Sequence, residues 1–271
     1  DKDITEWTSD TPPSQLPEAD LYFHLASPAS PNEHTSRPTA NFRMNVSGGN
    51  SLLLKTGLVA GSRMVFASSG EIYGLAQGPL RESTVGSVPL GDPRWAYAES
   101  KRAAEALCTA HLAEFGTDSV VARLFHTFGP GLRKRDGRIF GDFISCLSEG
   151  RPLRIRDSAD TRRPFCYAAE AAKALLVISA RGQSGEAYNI AGSESVSIAA
   201  LAEELTKRFL PSGTLVINES GRGAGSSSNP TVELNPSIEK IALLGWQPSV
   251  NAADTFGKTL EFLRLASPFG S

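Results

Sequence analysis

The sequence predicts an α/β fold in which a doubly wound parallel sheet is followed by a smaller α+β lobe. Two observations carry this prediction. Residues 21–27, 63–69 and 119–125 are nearly continuous apolar runs, as expected of strands buried on both faces of a parallel sheet. Helical patterns separate the runs, so the order is strand, helix, strand, helix, strand. This alternation is typical of a parallel sheet with helices packed on its faces.

The first half of the chain supplies the predicted sheet. An Asp-, Pro- and Ser-rich stretch runs to Pro17, and a helical pattern at residues 45–55 separates the first two strands. A second helix begins near Pro93 and ends at Gly116. Ligands of such sheets bind beyond the carboxyl ends of the strands. The polar residues at those ends are Ser27, Ser68, Ser69, His126 and Thr127.

Beyond Gly129-Pro130-Gly131 the elements become shorter, as expected of an α+β lobe. The pattern predicts helices at residues 139–148, 170–179 and 198–209, the last with Ser197 as its cap. It predicts short strands at residues 187–190 and 214–217, and it marks two further short segments at residues 153–156 and 165–167. The Gly- and Ser-rich residues 221–228 are interpreted as a mobile loop, and no internal repeat is found.

The composition is that of an ordinary soluble globular protein, with 271 residues, 40% hydrophobic residues and a net charge of -2. No basic surplus indicates a nucleic-acid partner. The longest apolar run, near residues 174–180, is too short to span a bilayer. The first residues show no basic-then-apolar leader pattern. We therefore expect a cytoplasmic protein without membrane contact. The widely spaced Cys108, Cys146 and Cys166 predict buried free thiols. The four histidines show no ligand spacing, so we predict no metal.

Tyr97 and Lys101 form the most informative pair in the chain. They lie four residues apart in a helical pattern, so both side chains leave one face of one helix. An ammonium close to a phenol favours the phenolate and lowers the pKa of the tyrosine. The pair therefore predicts an acid/base group that works near neutral pH. Tyr-x-x-x-Lys is short enough to arise by chance, and its surroundings support the functional interpretation.

A dinucleotide-binding sheet needs a Gly-rich turn between its first strand and a helix. No such turn is present. The nearest candidate, at residues 221–225, is followed by Ser-Ser-Ser-Asn-Pro and not by a helix. If Asp3-Ile4 ends a strand, we expect about two βα units, roughly 50 to 60 residues, ahead of Asp1 in the intact protein.

Several motifs resemble the extended short-chain dehydrogenase/reductase group of nucleotide-sugar enzymes, whose sheet is Rossmann-like. The resemblance covers about residues 20–246. The shared motifs are Ser69 with Tyr97 and Lys101, Asn45-Val46-Ser47-Gly48, Arg123-Leu124-Phe125 before Gly129-Pro130, and Leu244-Gly245-Trp246-Gln247-Pro248. The resemblance implies a dinucleotide-binding domain of residues 1–127 with 164–190, incomplete at its N-terminus. It also implies a sugar-nucleotide-binding lobe of residues 128–163 with 191–265.

Three further segments are most similar to the UDP-glucuronic acid decarboxylases within this group. They are His24-Leu25-Ala26-Ser27-Pro28-Ala29-Ser30-Pro31, Asp136-Gly137-Arg138-Ile139, and Thr161-Arg162-Arg163-Pro164-Phe165-Cys166-Tyr167. The resemblance implies NAD as cofactor, a nucleotide sugar as substrate, and a homodimer formed through the Tyr97 helix and its neighbour. The activity it implies is decarboxylation of a UDP-hexuronic acid through a 4-keto intermediate.

The same resemblance assigns expected roles to individual residues. Tyr97 would remove the proton of the C4 hydroxyl, Lys101 would lower the pKa of Tyr97, Ser69 would bind the same oxygen, and Glu71 would act at the carboxylate end. Substrate contacts are expected from Arg163, Arg138, Arg43 and His126. Cofactor contacts are expected from Asp3, Ile4, Leu25, Ala26, Ser27, Ala67, Tyr97 and Lys101.

The chain also departs from the pattern of this group. Gly70 stands where a hydroxyl is usual, His126 replaces an asparagine, Gly49 a threonine and Glu170 an aspartate. The usually basic segment before the final Leu-Gly-Trp reads Asn229-Pro230-Thr231-Val232-Glu233-Leu234. Several substrate contacts have therefore changed, which leaves open an epimerase or dehydratase acting on another nucleotide sugar. The absent Gly-rich turn leaves open a second alternative, a non-catalytic sugar-nucleotide-binding protein without the NAD site.

Overall fold

The computed structural model describes residues 16–27, 30, 36–89, 91–132, 137–155, 161–218 and 234–266. Asp3 and Ile4, the basic residues 133–135 and the Gly- and Ser-rich residues 221–228 lie outside the described residues. Within the described part, no helix is both long and apolar enough to cross a membrane.

Four parallel strands form the central sheet, in the order in which they occur along the chain. They are β1 (Leu21–His24), β2 (Arg63–Ser69), β3 (Ser119–Leu124) and β4 (Ala187–Ile190). β1 ends at His24, which lies opposite Phe66. β2 therefore continues for three residues beyond the end of β1.

Helices cover both faces of the sheet. They are α1 (Pro38–Phe42), α2 (Gly49–Leu58), α3 (Ala96–Phe115), α4 (Ile139–Ser148), α5 (Ala168–Arg181), α6 (Ile198–Phe209), α7 (Glu239–Ala242) and α8 (Ala252–Ala266). A π-helical turn, Arg43–Gly48, joins α1 to α2, and 3₁₀ turns occupy Gly70–Tyr73 and Pro93–Trp95.

Successive side chains of β2 point to opposite faces, and both faces are apolar. Met64 and Phe66 pack in one cluster with residues of α2 and α3. Val65 packs on the other face, in a cluster with residues of α5. Burial on both faces explains the continuous apolar runs, and the doubly wound α/β prediction is confirmed.

A separate aromatic cluster lies beyond the sheet, between α4, α6 and α8. It includes Phe128, Phe140, Phe143, Phe165 and Phe256. Pairs of two-residue strands border this region and the loops above the sheet: Thr127–Phe128 with Cys166–Tyr167, Arg154–Ile155 with Ile217–Asn218, Arg162–Arg163 with Val196–Ser197, and Pro79–Leu80 with Asn235–Pro236. The division of the chain into two domains stays a prediction.

Most predicted elements are present. β2, β4, α4 and α6 have the predicted bounds, and the Ser197 hydroxyl accepts a hydrogen bond from the amide of Ala200, as a helix cap does. The prediction was wrong at residues 214–217, where the strand is confined to Ile217–Asn218. α8 was missed altogether. The three cysteines are buried and unpaired, as predicted.

Candidate active site

The carboxyl end of β2 meets the first turns of α3, and this contact brings together Ser69, Tyr97 and Lys101. The Ser69 hydroxyl hydrogen-bonds the Tyr97 phenol and accepts the Glu71 amide at 3.2 Å. Lys101 Nζ donates to the carbonyl oxygen of Ala67 at 2.6 Å. The predicted arrangement of two groups on one helix, facing one strand end, is therefore present.

The start of α3 sets the position of Tyr97. Asp92 Oδ1 accepts the Arg94 amide at 3.0 Å, and Pro93 opens the 3₁₀ turn that runs into α3. One turn into the helix, Ser100 Oγ donates to the Tyr97 carbonyl at 2.8 Å and accepts Asn45 Nδ2 at 2.9 Å. The π-helical turn that carries Asn45 is thereby fixed against α3.

The pKa of Tyr97 is raised to about 12, which overturns the predicted direction. Burial is the largest cause, and the Glu71 carboxylate adds to it, while the Ser69 hydrogen bond and the Arg138 charge oppose both. Lys101 is not among the groups that shift the pKa of the phenol, and its ammonium donates to the Ala67 carbonyl. The ammonium lies 5.7 Å from the centre of the Tyr97 ring.

Lys101 itself is almost completely enclosed, with 2% of its surface exposed. Burial lowers its pKa to about 7, against the opposing effect of Glu105. The ammonium also lies 4.8 Å from the centre of the Phe66 ring, a cation–π contact. Lys101 therefore changes its charge near neutral pH.

Glu71 lies at the mouth of the site, between two arginines. Solvent reaches more than a third of the residue, yet the protein around its carboxyl group displaces enough bulk water to raise its pKa. The charges of Arg163 and Arg94 act in the opposite direction. The sequence analysis did not identify Arg94. Its position three residues before Tyr97, at the helix start, is the signal that could have indicated it.

His126 completes the site with an unusual backbone conformation. Its φ of 34° is the only positive value at a non-glycine residue in the described ranges. Burial and the charges of Arg163 and Arg138 lower the pKa of His126 to about 3, so its imidazole is neutral at ordinary pH. The ring meets Phe165 edge to face at 5.9 Å. His126 therefore lies within electrostatic reach of both arginines.

One departure noted in the sequence has a steric explanation. A Cβ at Gly70 would come within 2.4 Å of the Phe125 ring, so a side chain with a hydroxyl has no room there. At Gly49 a Cβ would make only an ordinary contact, 3.7 Å from His24, so sterics do not explain the absence of a threonine.

The remaining predicted residues are not all brought together. Arg43 is exposed on the π-helical turn, and none of the contacts described for this part of the chain joins it to Tyr97 or His126. Leu25, Ala26 and Ser27 follow the end of β1, next to Ala67 on β2. Within the described residues, no group of three or more His, Cys, Asp or Glu side chains is arranged to hold a metal ion.

Residues 3–191 match the NAD dependent epimerase/dehydratase family. The chain belongs to this family. It is 33% identical over 252 residues to UDP-glucuronic acid decarboxylase 1 of Xenopus tropicalis, covering 91% of this chain and 57% of that protein. It is 30% identical over 254 residues to UDP-glucuronic acid decarboxylase 6 of Arabidopsis thaliana, covering 92% of this chain and 71% of that protein. The chain thus spans little more than half the length of the first of these relatives, and the resemblance inferred from the motifs is confirmed.

Solved structures share the fold. UDP-glucose 4-epimerase of Thermotoga maritima, with UDP-glucose, superposes with a TM-score of 0.81 at 20% identity, covering 98% of this chain and 84% of that one. UDP-glucuronic acid 4-epimerase of Bacillus cereus, with UDP-glucuronic acid and NAD, gives 0.77 at 22% identity, covering 98% and 81%. At these identities the likeness supports the fold alone.

The family indicates a nicotinamide cofactor, and the described residues fit one end of it. Leu25 exposes 54% of its surface although it directly follows a buried strand, so an apolar ring would cover it favourably. Ala26 is exposed beside it, and the Lys101 ammonium lies at the carbonyl of the neighbouring Ala67. The two residues predicted to border the adenine, Asp3 and Ile4, lie outside the described residues.

Proposed function

We propose that the protein carrying this chain is an NAD-dependent decarboxylase of a UDP-hexuronic acid, of the UDP-glucuronate to UDP-xylose type. The observation that carries the proposal is the cluster formed where the carboxyl end of β2 meets the first turns of α3. There the Ser69–Tyr97 pair lies within electrostatic reach of Glu71 and Arg138. The positive charge of Arg163 in turn stabilises the Glu71 carboxylate. Decarboxylases among the similar proteins support the choice of reaction.

In this proposal Tyr97 and Ser69 handle the proton of the sugar C4 hydroxyl. When bound, NAD would supply reversible hydride transfer at that carbon. A pKa of about 12 means that Tyr97 holds its proton in the structure described. A further cation beside the phenol would lower that pKa, in the direction in which Arg138 already acts. Lys101, one turn further along α3, would hold the nicotinamide ribose.

The arginines suit the two anionic ends of the substrate. Arg163 would pair with the hexuronate carboxylate, since a guanidinium offers parallel donors to a carboxylate. Glu71, which interacts with Arg163, would limit how tightly the substrate carboxylate is held. Oxidation at C4 makes the substrate a β-keto acid, and its carboxylate then leaves as carbon dioxide. Arg138 and, from the π-helical turn, Arg43 would bind the diphosphate. The neutral His126 would contact the sugar between them.

Incubating the full-length protein with UDP-glucuronate and NAD tests the proposal. We expect carbon dioxide and a UDP-pentose, detected by radiolabel release and by mass spectrometry. Tyr97→Phe should lower kcat at least about 100-fold, the contribution typical of general acid–base groups, with the fold unchanged by circular dichroism. Finding neither product with the full-length protein would remove the proposal.

A second candidate is epimerisation or dehydration of another nucleotide sugar. The observation that favours it is His126, which has a positive backbone φ and brings an imidazole within electrostatic reach of Arg163 and Arg138. A panel of UDP- and dTDP-sugars, followed by mass spectrometry and NMR of the sugar, separates the two candidates. Loss of carbon dioxide indicates decarboxylation and loss of water indicates dehydration, whereas an unchanged mass with altered stereochemistry in the NMR spectrum indicates epimerisation.

A further inference from the structure

Three consecutive residues of β2, Ala67 to Ser69, each hydrogen-bond a side chain from a different turn of α3. Ser69 hydrogen-bonds Tyr97, and the Ala67 carbonyl accepts Lys101 Nζ. Between these two, the Ser68 hydroxyl donates to the Glu105 carboxylate. Tyr97, Lys101 and Glu105 are four residues apart along one helix face, so the third contact fixes the register of the first two.

Arg123 of β3 holds Glu105 from the opposite side. Arg123 Nη2 lies 2.8 Å from Glu105 Oε2, and Nε lies 3.2 Å from both carboxylate oxygens. The two side chains expose only 12% and 14% of their surfaces. Arg123 Nη1 also donates to the Tyr73 hydroxyl and to the Glu82 carbonyl, each at 2.8 Å. These contacts fix the Arg123–Glu105 ion pair in position next to the candidate site.

The charges around Lys101 come from two elements. Glu105 lies one turn away on α3 and favours the ammonium form. His24 faces Lys101 from β1, and burial together with the Lys101 charge lowers the pKa of His24 to about 4. His24 is therefore neutral near pH 7. Around Glu105 lie Arg123 and also Cys108, whose thiol pKa is raised to about 12 by burial and by the Glu105 charge.

We propose that Glu105 is a positioning residue that favours the ammonium form of Lys101 and keeps α3 in register with β2. Glu105 touches neither substrate nor cofactor and acts through Lys101 and Ser68. This inference rests on the proposed function, in which the Lys101 ammonium serves the nicotinamide ribose. Its basis is the position of the carboxylate, one helical turn from a lysine that burial brings close to deprotonation.

The first test is the pH profile of kcat/KM for UDP-glucuronate in the full-length protein. Glu105→Gln removes the charge, so we expect the alkaline limb to move about one pH unit towards lower pH. This shift corresponds to a roughly tenfold loss of kcat/KM at pH 8.5. Glu105→Asp keeps the charge and shortens the side chain, so its alkaline limb should stay within about half a unit of the wild type. A limb that moves with Asp as far as with Gln would mean a purely structural role and overturn the inference.

Asp118→Asn is the matched control. Asp118 forms an ion pair with Arg63 at 2.7 Å, at the opposite end of β2 and β3 from Glu105. Like Glu105→Gln, this variant removes a partly buried carboxylate that is paired with an arginine. Asp118, however, lies far from Lys101 along the strands. Its pH profile should match the wild type, even where its stability falls. A shift as large as that of Glu105→Gln would overturn the inference.

A second test needs no turnover. Lys101 binds a proton more weakly in the folded protein than in the unfolded chain, so this group makes the free energy of unfolding rise with pH from about 7 to about 10.5. Glu105→Gln should make that rise begin at a lower pH, and Lys101→Met should abolish it in either background. Identical pH dependence with and without Glu105 would overturn the inference. Absence of turnover by the wild type would instead remove the proposed function, and this second test would still decide the coupling.

Discussion

His24 shows how one buried side chain makes stability depend on pH. The residue is almost completely buried at the end of β1, and its Nε2 lies 3.0 Å from the Met44 carbonyl, to which it must donate. Within the described residues, the buried Nδ1 has no hydrogen-bond partner. A second proton would therefore lack an acceptor. Burial, reinforced by Lys101, lowers the pKa of His24 to about 4.

The sign of the effect follows from this lowered pKa. The unfolded chain binds the proton more strongly, so stability from this group is present above pH 6.5 and is lost as pH falls towards 4. The loss approaches about 3 kcal/mol at full protonation. His24→Gln keeps a donor and does not titrate, so urea denaturation between pH 4.5 and 7.5 should show a shallower acid loss. Equal slopes in the two proteins would contradict the prediction.

His126 is the residue at which a local rule is broken. A positive φ is easier for asparagine than for histidine, so His126→Asn should leave the free energy of unfolding unchanged or raise it by up to about 1 kcal/mol. Because the pKa of His126 is about 3, the pH profile of turnover should keep its shape in the variant. Kinetics from pH 5 to 9 check this. Loss of one limb of the profile would show that His126 titrates during catalysis.

At the scale of elements, Glu170 explains another departure of the sequence. It lies in the first turn of α5, and its carboxylate accepts the Ser249 amide and hydroxyl, each at 2.7 Å, and the Val250 amide at 3.2 Å. Asn251 then caps α8, because its Oδ1 accepts the Asp254 amide at 2.8 Å. The longer side chain of glutamate thus fixes the start of the last helix.

Shortening that side chain tests this account. Glu170→Asp should lower the free energy of unfolding by about 1 to 3 kcal/mol, because Ser249 and Val250 lose their hydrogen bonds to the charged, buried Glu170 carboxylate. The exposed pair of Arg81 and Glu239, 3.7 Å apart, provides the control. Glu239→Gln should change stability by less than about 1 kcal/mol. Chemical denaturation measures both, and similar losses in the two variants would contradict the assignment.

The elements that sequence could predict are those with a strong local signal. The bounds of β2 could be predicted from its continuous apolar run, and those of β4 from a short strand pattern. Gly116, with φ of 69°, ends α3 where it was expected. The strands of two residues are too short to carry a pattern. α8 does carry one, since Ala252, Phe256 and Leu260 are buried at helical spacing, and the cap at Asn251 could have indicated it.

The candidate site could be predicted less completely. Ser69, Tyr97 and Lys101 were identified by their pattern, but the direction of the pKa shift depends on burial and on where the ammonium points. Arg94 and Glu105 act through contacts between distant elements, which spacing along the chain does not reveal. The pairing of β2 with α3 creates those contacts.

At the scale of the whole molecule, a cavity of about 420 Å³ opens away from Tyr97, among residues that include Glu105, Arg123 and Lys240. Its charged walls are already paired, since Arg123 binds Glu105 and Lys240 binds Glu186 and the Ala187 carbonyl. This pairing supports the proposal, in which the chemistry belongs to the cluster around Tyr97.

The sequence resemblance predicts a homodimer formed through the Tyr97 helix and its neighbour, and the exposed ends of α2 and α3 are a candidate surface for it. The two helices pack side by side on the sheet, and Leu58 and Phe115 at their C-terminal ends expose 70% and 59% of their surfaces. Apolar area of this kind favours association of two copies. The full-length protein should therefore sediment at twice its monomer mass at micromolar concentration.

Charges placed on this surface should separate the copies. Leu58→Glu with Phe115→Glu should weaken association at least about tenfold, because two copies would bring like charges together in a desolvated contact. Leu243→Glu is the control, since Leu243 is 87% exposed next to α7, away from both helices, and the variant should remain dimeric. Sedimentation equilibrium measures all three proteins. A monomeric wild type, or a double variant as dimeric as the control, would place the interface elsewhere or exclude it.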